Sequence, residues 1–128
     1  MDKKLKIGLD IHGVTDSNPF FKIMASALIT AGHEIHIITG ASIEKAIRDL
    51  RSAGLEVGIE YTTIFSITDE LLERGVPVTW KNPSNPMFPD LDWNKCKARY
   101  CAENEIDIHF DDSDIYGLYF TTPYAQIK

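Results

Sequence analysis

Short apolar runs that end in a carboxylate or a hydroxyl, each separated from the next by a stretch of helical period, constrain this chain more than any other feature. Leu5 to Leu9 has the character of a buried strand and is stopped by Asp10. Asn18 then suits an N-cap with Pro19 at the first helical position, and Phe20, Met24, Ala27, Leu28 and Ala31 share one face up to Gly32, a C-cap. Ile35, Ile37 and Ile38 make a second strand, ended by Thr39. Ser42 can cap a second helix whose Ile43, Ala46, Ile47, Leu50 and Ala53 line one face before Gly54. Strands alternating with helices require right-handed crossovers. The pattern therefore predicts an α/β chain: a single-domain, Rossmann-like three-layer fold, with a mostly parallel sheet and helices on both faces.

The rest of the chain continues the alternation. The β-branched and aromatic run Val57 to Ile64 suits a third strand, and Thr68 to Arg74 a short helix closed by Gly75 and Pro77. Val76 to Trp80 reads as extended. Pro77, Pro83, Pro86 and Pro89, with Asn82, Ser84 and Asn85, predict an irregular loop from Lys81 to Asp90. That loop is apolar for its kind, with Trp80, Met87 and Phe88 placed either to cover a ligand or to pack over a sheet edge. Asp90 or Asp92 caps a last helix to about Asn104, Ile106 to Phe110 is a strand delivering Asp111 and Asp112, and an edge strand is expected around Leu118 to Thr122.

At 128 residues the chain is one domain by length, too short for a core plus an independent cap. Its net charge is −6 and its longest basic run is Lys3-Lys4, which speaks against a nucleic-acid or anionic-membrane surface. The N-terminal Met1-Asp2-Lys3-Lys4 leads into an apolar run too short for a signal peptide or a membrane span, so a cytoplasmic protein is expected. Cys96 and Cys101 are five apart, roughly 140° of arc on a helix, poorly placed to pair and better read as buried small hydrophobes in a reducing compartment.

Ligands of parallel α/β sheets bind beyond the carboxyl ends of the strands, near the switch in strand order. Asp10, Thr39 and Asp111-Asp112 all fall at such ends. Asp10 followed by Gly13-Val14, Thr39-Gly40, a helical lysine and then Asp111-Asp112 resemble the haloacid dehalogenase-like superfamily of phosphotransferases, in the family's order across residues 5 to 114. The resemblance is to a small member without an inserted cap, since one loop and one helix separate Asp10 from Thr39. It implies Asp10 as the nucleophile that forms an aspartyl-phosphate, and Mg²⁺ held directly by Asp10 and Asp112, through water by Asp111, and by the backbone carbonyl of His12. Thr39, the Gly40 amide and the lysine would hold phosphate oxygens. With Trp93 set at zero on a helical wheel, Lys97 falls near about 40°, within the apolar stripe, and Lys95 near about 200°. Lys97 is therefore favoured, and Lys95 replaces it if the helix starts later.

A receiver domain has the same parts, with its acidic pair on the first strand and its lysine after the last; here the pair comes late and the lysine precedes it. The departure from the resembled pattern is His12, where hydrolases of the superfamily carry an aspartate as general acid and base. An imidazole with a pKa of about 6.5 is able to do both jobs at neutral pH. Two functions follow: an Mg²⁺-dependent phosphatase-like hydrolase with Asp10 and His12 catalytic, or an impaired domain that binds metal and phosphate without turnover. The substrate is a phosphorylated small molecule or macromolecule, and the open site would be covered by the Trp80 to Asp90 segment or by a second copy of the chain. Asp16 and Asp114 read as turn residues, and His36 and His109, inside strands, as core or edge histidines with a satisfied nitrogen.

Overall fold

The computed structural model describes residues 3–128, so Met1 and Asp2 of the N-terminal reading lie outside the described residues. Strands β1 (Lys6–Leu9), β2 (Glu34–Thr39), β3 (Thr63–Ser66), β6 (Ile108–Asp111) and β7 (Tyr124–Gln126) form one sheet in the order β3-β2-β1-β6-β7, and every pairing in it is parallel. Helices α1 (Pro19–Thr30), α2 (Ile43–Ser52), α3 (Ile67–Glu73) and α4 (Asp90–Glu103) flank it. The fold is the α/β, Rossmann-like three-layer arrangement that the alternation predicts.

The period of two along β2 sorts the layers. Ile35 and Ile37 join Leu9, Phe21, Ala25, Ala46 and Leu50 in the cluster under α1 and α2, while Ile38 points the other way, to Cys101 and Ile106 beside α4. The N-caps of α1 and α2 fall where the sequence places them, whereas α4 is capped by neither Asp90 nor Asp92: Pro89, which cannot make a side-chain cap bond, takes the N-cap position, and both aspartates lie in the first turn. Asn18 accepts from the Phe20 amide and Ser42 from the Lys45 amide, each satisfying an otherwise unpaired helix N-terminus. Strand order reverses between β1 and β6, which are direct neighbours, so Asp10 and Asp111 emerge side by side at the switch point.

Three further expectations are corrected. The third strand is Thr63–Ser66 and not Val57 to Ile64, because Gly58, at φ 85°, turns the chain and the amides of Ile59 and Glu60 bond back to the Glu56 carbonyl. Residues 81–90 are not irregular throughout: β4 (Thr79–Asn82) and β5 (Asn85–Met87) form an antiparallel hairpin. Its turn is set by the Asn82 side chain, which accepts from the Ser84 amide. Pro86 is tolerated opposite Trp80 because both strands of a two-stranded ribbon are edges. In the tail, Tyr116–Tyr119 is a 3₁₀ turn at whose start the Ser113 hydroxyl accepts from the amides of Ile115 and Tyr116, so the edge strand begins only after Pro123.

Candidate functional site

Asp10 directly follows β1, and its amide donates to the Phe110 carbonyl of β6 at 3.0 Å. Thr39 ends β2, Asp111 ends β6 and Asp112 follows it. Carboxylate oxygens of Asp10, Asp111 and Asp112 all lie within 4.8 Å of one another. Gly13 makes this possible: it sits at φ 82°, and a β-carbon there would lie 2.2 Å from a carboxylate oxygen of Asp112.

Lys97 reaches this cluster from α4. It is 2 % exposed, and its ammonium donates to Asp111 at 2.7 Å and to Asp10 at 3.2 Å while lying 4.9 Å from the centroid of the Tyr116 ring. Lys95 is exposed on the other side of α4, as helical phase predicts. Asp111 is fully buried and accepts three hydrogen bonds: Oδ2 accepts from Lys97 and from His109, and Oδ1 accepts from the Ser113 amide. Among the described residues the Asp112 carboxylate accepts no hydrogen bond, while Asp10 takes Lys97 on Oδ1 and is also supported by the Ile11 amide.

One ammonium among three carboxylates leaves an excess of negative charge, and ionisation responds to it. Burial pushes the Asp10 carboxyl up to about 7, with Lys97 opposing and Asp111 adding to the rise. Burial also resists ionisation of Asp111, but the His109 hydrogen bond and Lys97 outweigh it and hold that carboxyl below the usual range. Lys97 stays charged in spite of its burial because Asp10 and Asp111 face it.

His109 is the residue that sequence reasoning undervalued. Burial lowers its pKa and so favours the neutral ring, whose Nε2–H donates to the Asp111 carboxylate at 2.9 Å; Nδ1 lies against Gly8 with no hydrogen-bond partner among the described residues. The available signal was the His109-x-Asp111 spacing, which puts both side chains on one face of a strand. His36 fits its expectation, with Nδ1 on the Tyr100 hydroxyl at 2.7 Å and Nε2 on Glu34 at 2.9 Å.

A cavity of about 710 Å³ opens over the cluster, lined by Asp10, His12, Thr39, Gly40, Lys97 and Asp112, and so gathers all the expected site residues except the buried Asp111. The Thr39 hydroxyl accepts from the Ala41 amide at 3.3 Å, and the Gly40 carbonyl accepts from Thr68 at 2.6 Å, which fixes the turn. Gly40 also has to be glycine, since a β-carbon would meet the Trp93 ring at 2.8 Å. His12 does not point freely into the space. Its Nδ1 lies 3.0 Å from Asp16 and its Nε2 3.0 Å from Asp49 of α2, so Asp16 is more than a turn residue.

This is an α/β protein with an acidic cluster and a buried lysine at the switch point of a parallel sheet. The sequence matches no model of a known protein family and no curated protein. No helix among the described residues is long and apolar enough to cross a membrane.

Proposed function

We propose that this chain is a small haloacid dehalogenase-like phosphohydrolase, Mg²⁺-dependent, that cleaves a phosphate ester through an aspartyl-phosphate on Asp10. One observation carries the reading: the Asp10 and Asp112 carboxylates line the cavity beside Asp111, which already accepts three hydrogen bonds, and one buried lysine lies between Asp10 and Asp111. That donor set fits a hard cation that takes one or two carboxylates and keeps its waters. Asp10, Asp112 and the His12 carbonyl would hold it, with Asp111 behind water, and it would supply the positive charge that lets a carboxylate approach a phosphate.

The chain's own residues account for the remaining steps. One Asp10 oxygen attacks phosphorus in line while the other would be left to the cation, the bond from phosphorus to the ester oxygen breaks, and the leaving oxygen takes a proton from His12. His12 then removes a proton from water, which attacks the aspartyl-phosphate and frees inorganic phosphate. Lys97 and Thr39 hold the phosphoryl oxygens throughout. In this reading the protein is cytoplasmic and its partner is a phosphorylated small molecule or macromolecule. A second copy of the chain is one possible cover for the open cavity.

A second reading, a domain that binds metal and phosphate without turnover, is favoured by the His12 ring. Both of its nitrogens are taken by carboxylates, and one of them has to be released before the ring transfers a proton. Hydrolysis of a panel of phosphate esters with Mg²⁺ separates the two. The hydrolase reading expects turnover that Asp10→Asn abolishes and that His12→Ala lowers by about 10²- to 10⁴-fold, with a smaller loss in His12→Asp. Absence of turnover across the panel, with Mg²⁺ and phosphate still bound, establishes the second reading.

A further inference from the structure

The β4–β5 hairpin stands over the cavity and is almost wholly exposed, every residue of β4 included. A two-stranded ribbon is marginally stable alone, yet this one carries Trp80 at 50 % exposure and Met87 at 53 %. Trp80, Pro83 and Pro86 line the cavity that also contains Asp10 and Lys97. Other aromatic side chains near the cavity are engaged with one another. Phe88 stacks on Trp93 at 5.9 Å, the Trp93 indole N–H donates to the Tyr116 hydroxyl at 2.8 Å, and Tyr116 lies under the Lys97 ammonium. These contacts tie the root of the hairpin to the charged cluster.

Trp80 has no aromatic partner of its own among the described residues. Its indole is the one large ring of the hairpin left facing the cavity, while Trp93, Tyr116 and Phe88 are already engaged with each other. At about 710 Å³ the cavity is of the size that encloses a whole small ligand, far more than a phosphate needs. Besides the carboxylate and lysine cluster its lining includes the charged side chains of Glu44, Lys45, Arg48 and Asp69, and, from the hairpin, Trp80, Pro83 and Pro86. A ligand that meets both the cluster and the exposed Trp80 indole is charged at one end and carries a flat apolar group at the other.

We propose that the ligand is a phosphate monoester whose leaving group carries a flat aromatic ring, that the ring is held against Trp80, and that Trp80 thereby determines specificity. The inference rests on the phosphate-site reading above and adds the class of leaving group to it. Stacking is the natural attraction here, because an indole offers a face to any planar ring and gains little from an alkyl chain of similar charge and length.

The test uses two probes that cannot be hydrolysed, benzylphosphonate and butylphosphonate, titrated calorimetrically into the full chain with Mg²⁺ present. The wild-type protein is expected to bind the benzyl probe about tenfold or more tightly than the butyl probe, Trp80→Phe to keep most of that ratio, and Trp80→Ala to bring the two affinities within about twofold. Trp80 is exposed and makes no core contact, so the variants are expected to fold; the wild-type ratio decides the matter even if one does not. Equal affinities in the wild type, or a ratio unchanged in Trp80→Ala, overturn the inference and leave the phosphate site standing. Absence of binding by both probes overturns the phosphate site and the inference with it.

Discussion

Replacing Lys97 with methionine keeps the length of the side chain and removes its charge, which isolates the role of the buried ammonium. At 2.7 and 3.2 Å from two carboxylates, each pair has a gross attraction of about 5–6 kcal/mol at an effective dielectric constant of about 20. Desolvation cancels much of that, and breaking a buried pair by removing one partner costs about 3–5 kcal/mol net. The loss has a pH signature. Below about pH 7 the folded wild-type protein already carries a proton on Asp10, so the variant is left with one buried anion, Asp111, which His109 still supports. Above that value the wild type ionises Asp10 beside Lys97, whereas the variant retains the proton at the cost of stability, by up to about 1.4 kcal/mol for each further pH unit. The gap between wild type and variant is therefore expected to be about 3 kcal/mol at pH 6 and nearer about 5 kcal/mol at pH 8.5. At about 3–4 °C per kcal/mol for a domain of this size, that is about 10 °C and about 15 °C in Tm. Thermal and urea unfolding at the two pH values, without divalent ions, measure it. A loss below about 1 kcal/mol at both values, or a gap that narrows as pH rises, refutes the assignment of Lys97 as the charge partner of both carboxylates.

Asp10→Asn is expected to stabilise the metal-free protein. The folded pKa of Asp10 lies above its unfolded value, so its ionisation detracts from stability increasingly from about pH 4 to about pH 7. The Tm gain should be largest above pH 7 and absent near pH 4, while the Mg²⁺-induced rise in Tm disappears. For the same reason Mg²⁺ binding should release up to one proton below pH 7 and none at pH 8.5, read as a buffer-dependent enthalpy in calorimetry. Gly13→Ala combines a positive φ with a clash on Asp112, and is expected to weaken Mg²⁺ binding by tenfold or more and to cost about 1 kcal/mol of stability by denaturant titration. His109→Phe fills the same space without a donor and leaves Asp111 one hydrogen bond short, so a loss of about 1–3 kcal/mol is expected from unfolding curves.

The strand ends were the legible part of the site. A short apolar run that closes on a carboxylate and a turn marks the carboxyl end of a strand, so Asp10 and Asp111 could be placed at one end of the sheet whatever their function, and the periodicity of α4 was enough to put Lys97 rather than Lys95 on its buried face. The hairpin was hidden because Pro83 and Pro86 read as breakers, and only the absence of strand neighbours on its outer sides makes them harmless there. Val57 to Ile64 had the composition of a strand without its alternation, and Gly58 turned it. The engagement of His12 by Asp49 depends on how α2 packs on the loop after β1, a contact between residues 37 positions apart that no local pattern encodes.

The central claim is that Asp10 becomes phosphorylated in a metal-dependent site. The most direct measurement incubates the His12→Ala protein with acetyl phosphate and Mg²⁺, reduces any acyl phosphate with borohydride, and maps the product by peptide mass spectrometry. Reduction of Asp10 to homoserine, dependent on Mg²⁺ and absent from Asp10→Asn, is the predicted result. An unmodified Asp10, or a phosphoryl group on another residue with Asp10 intact, contradicts the account.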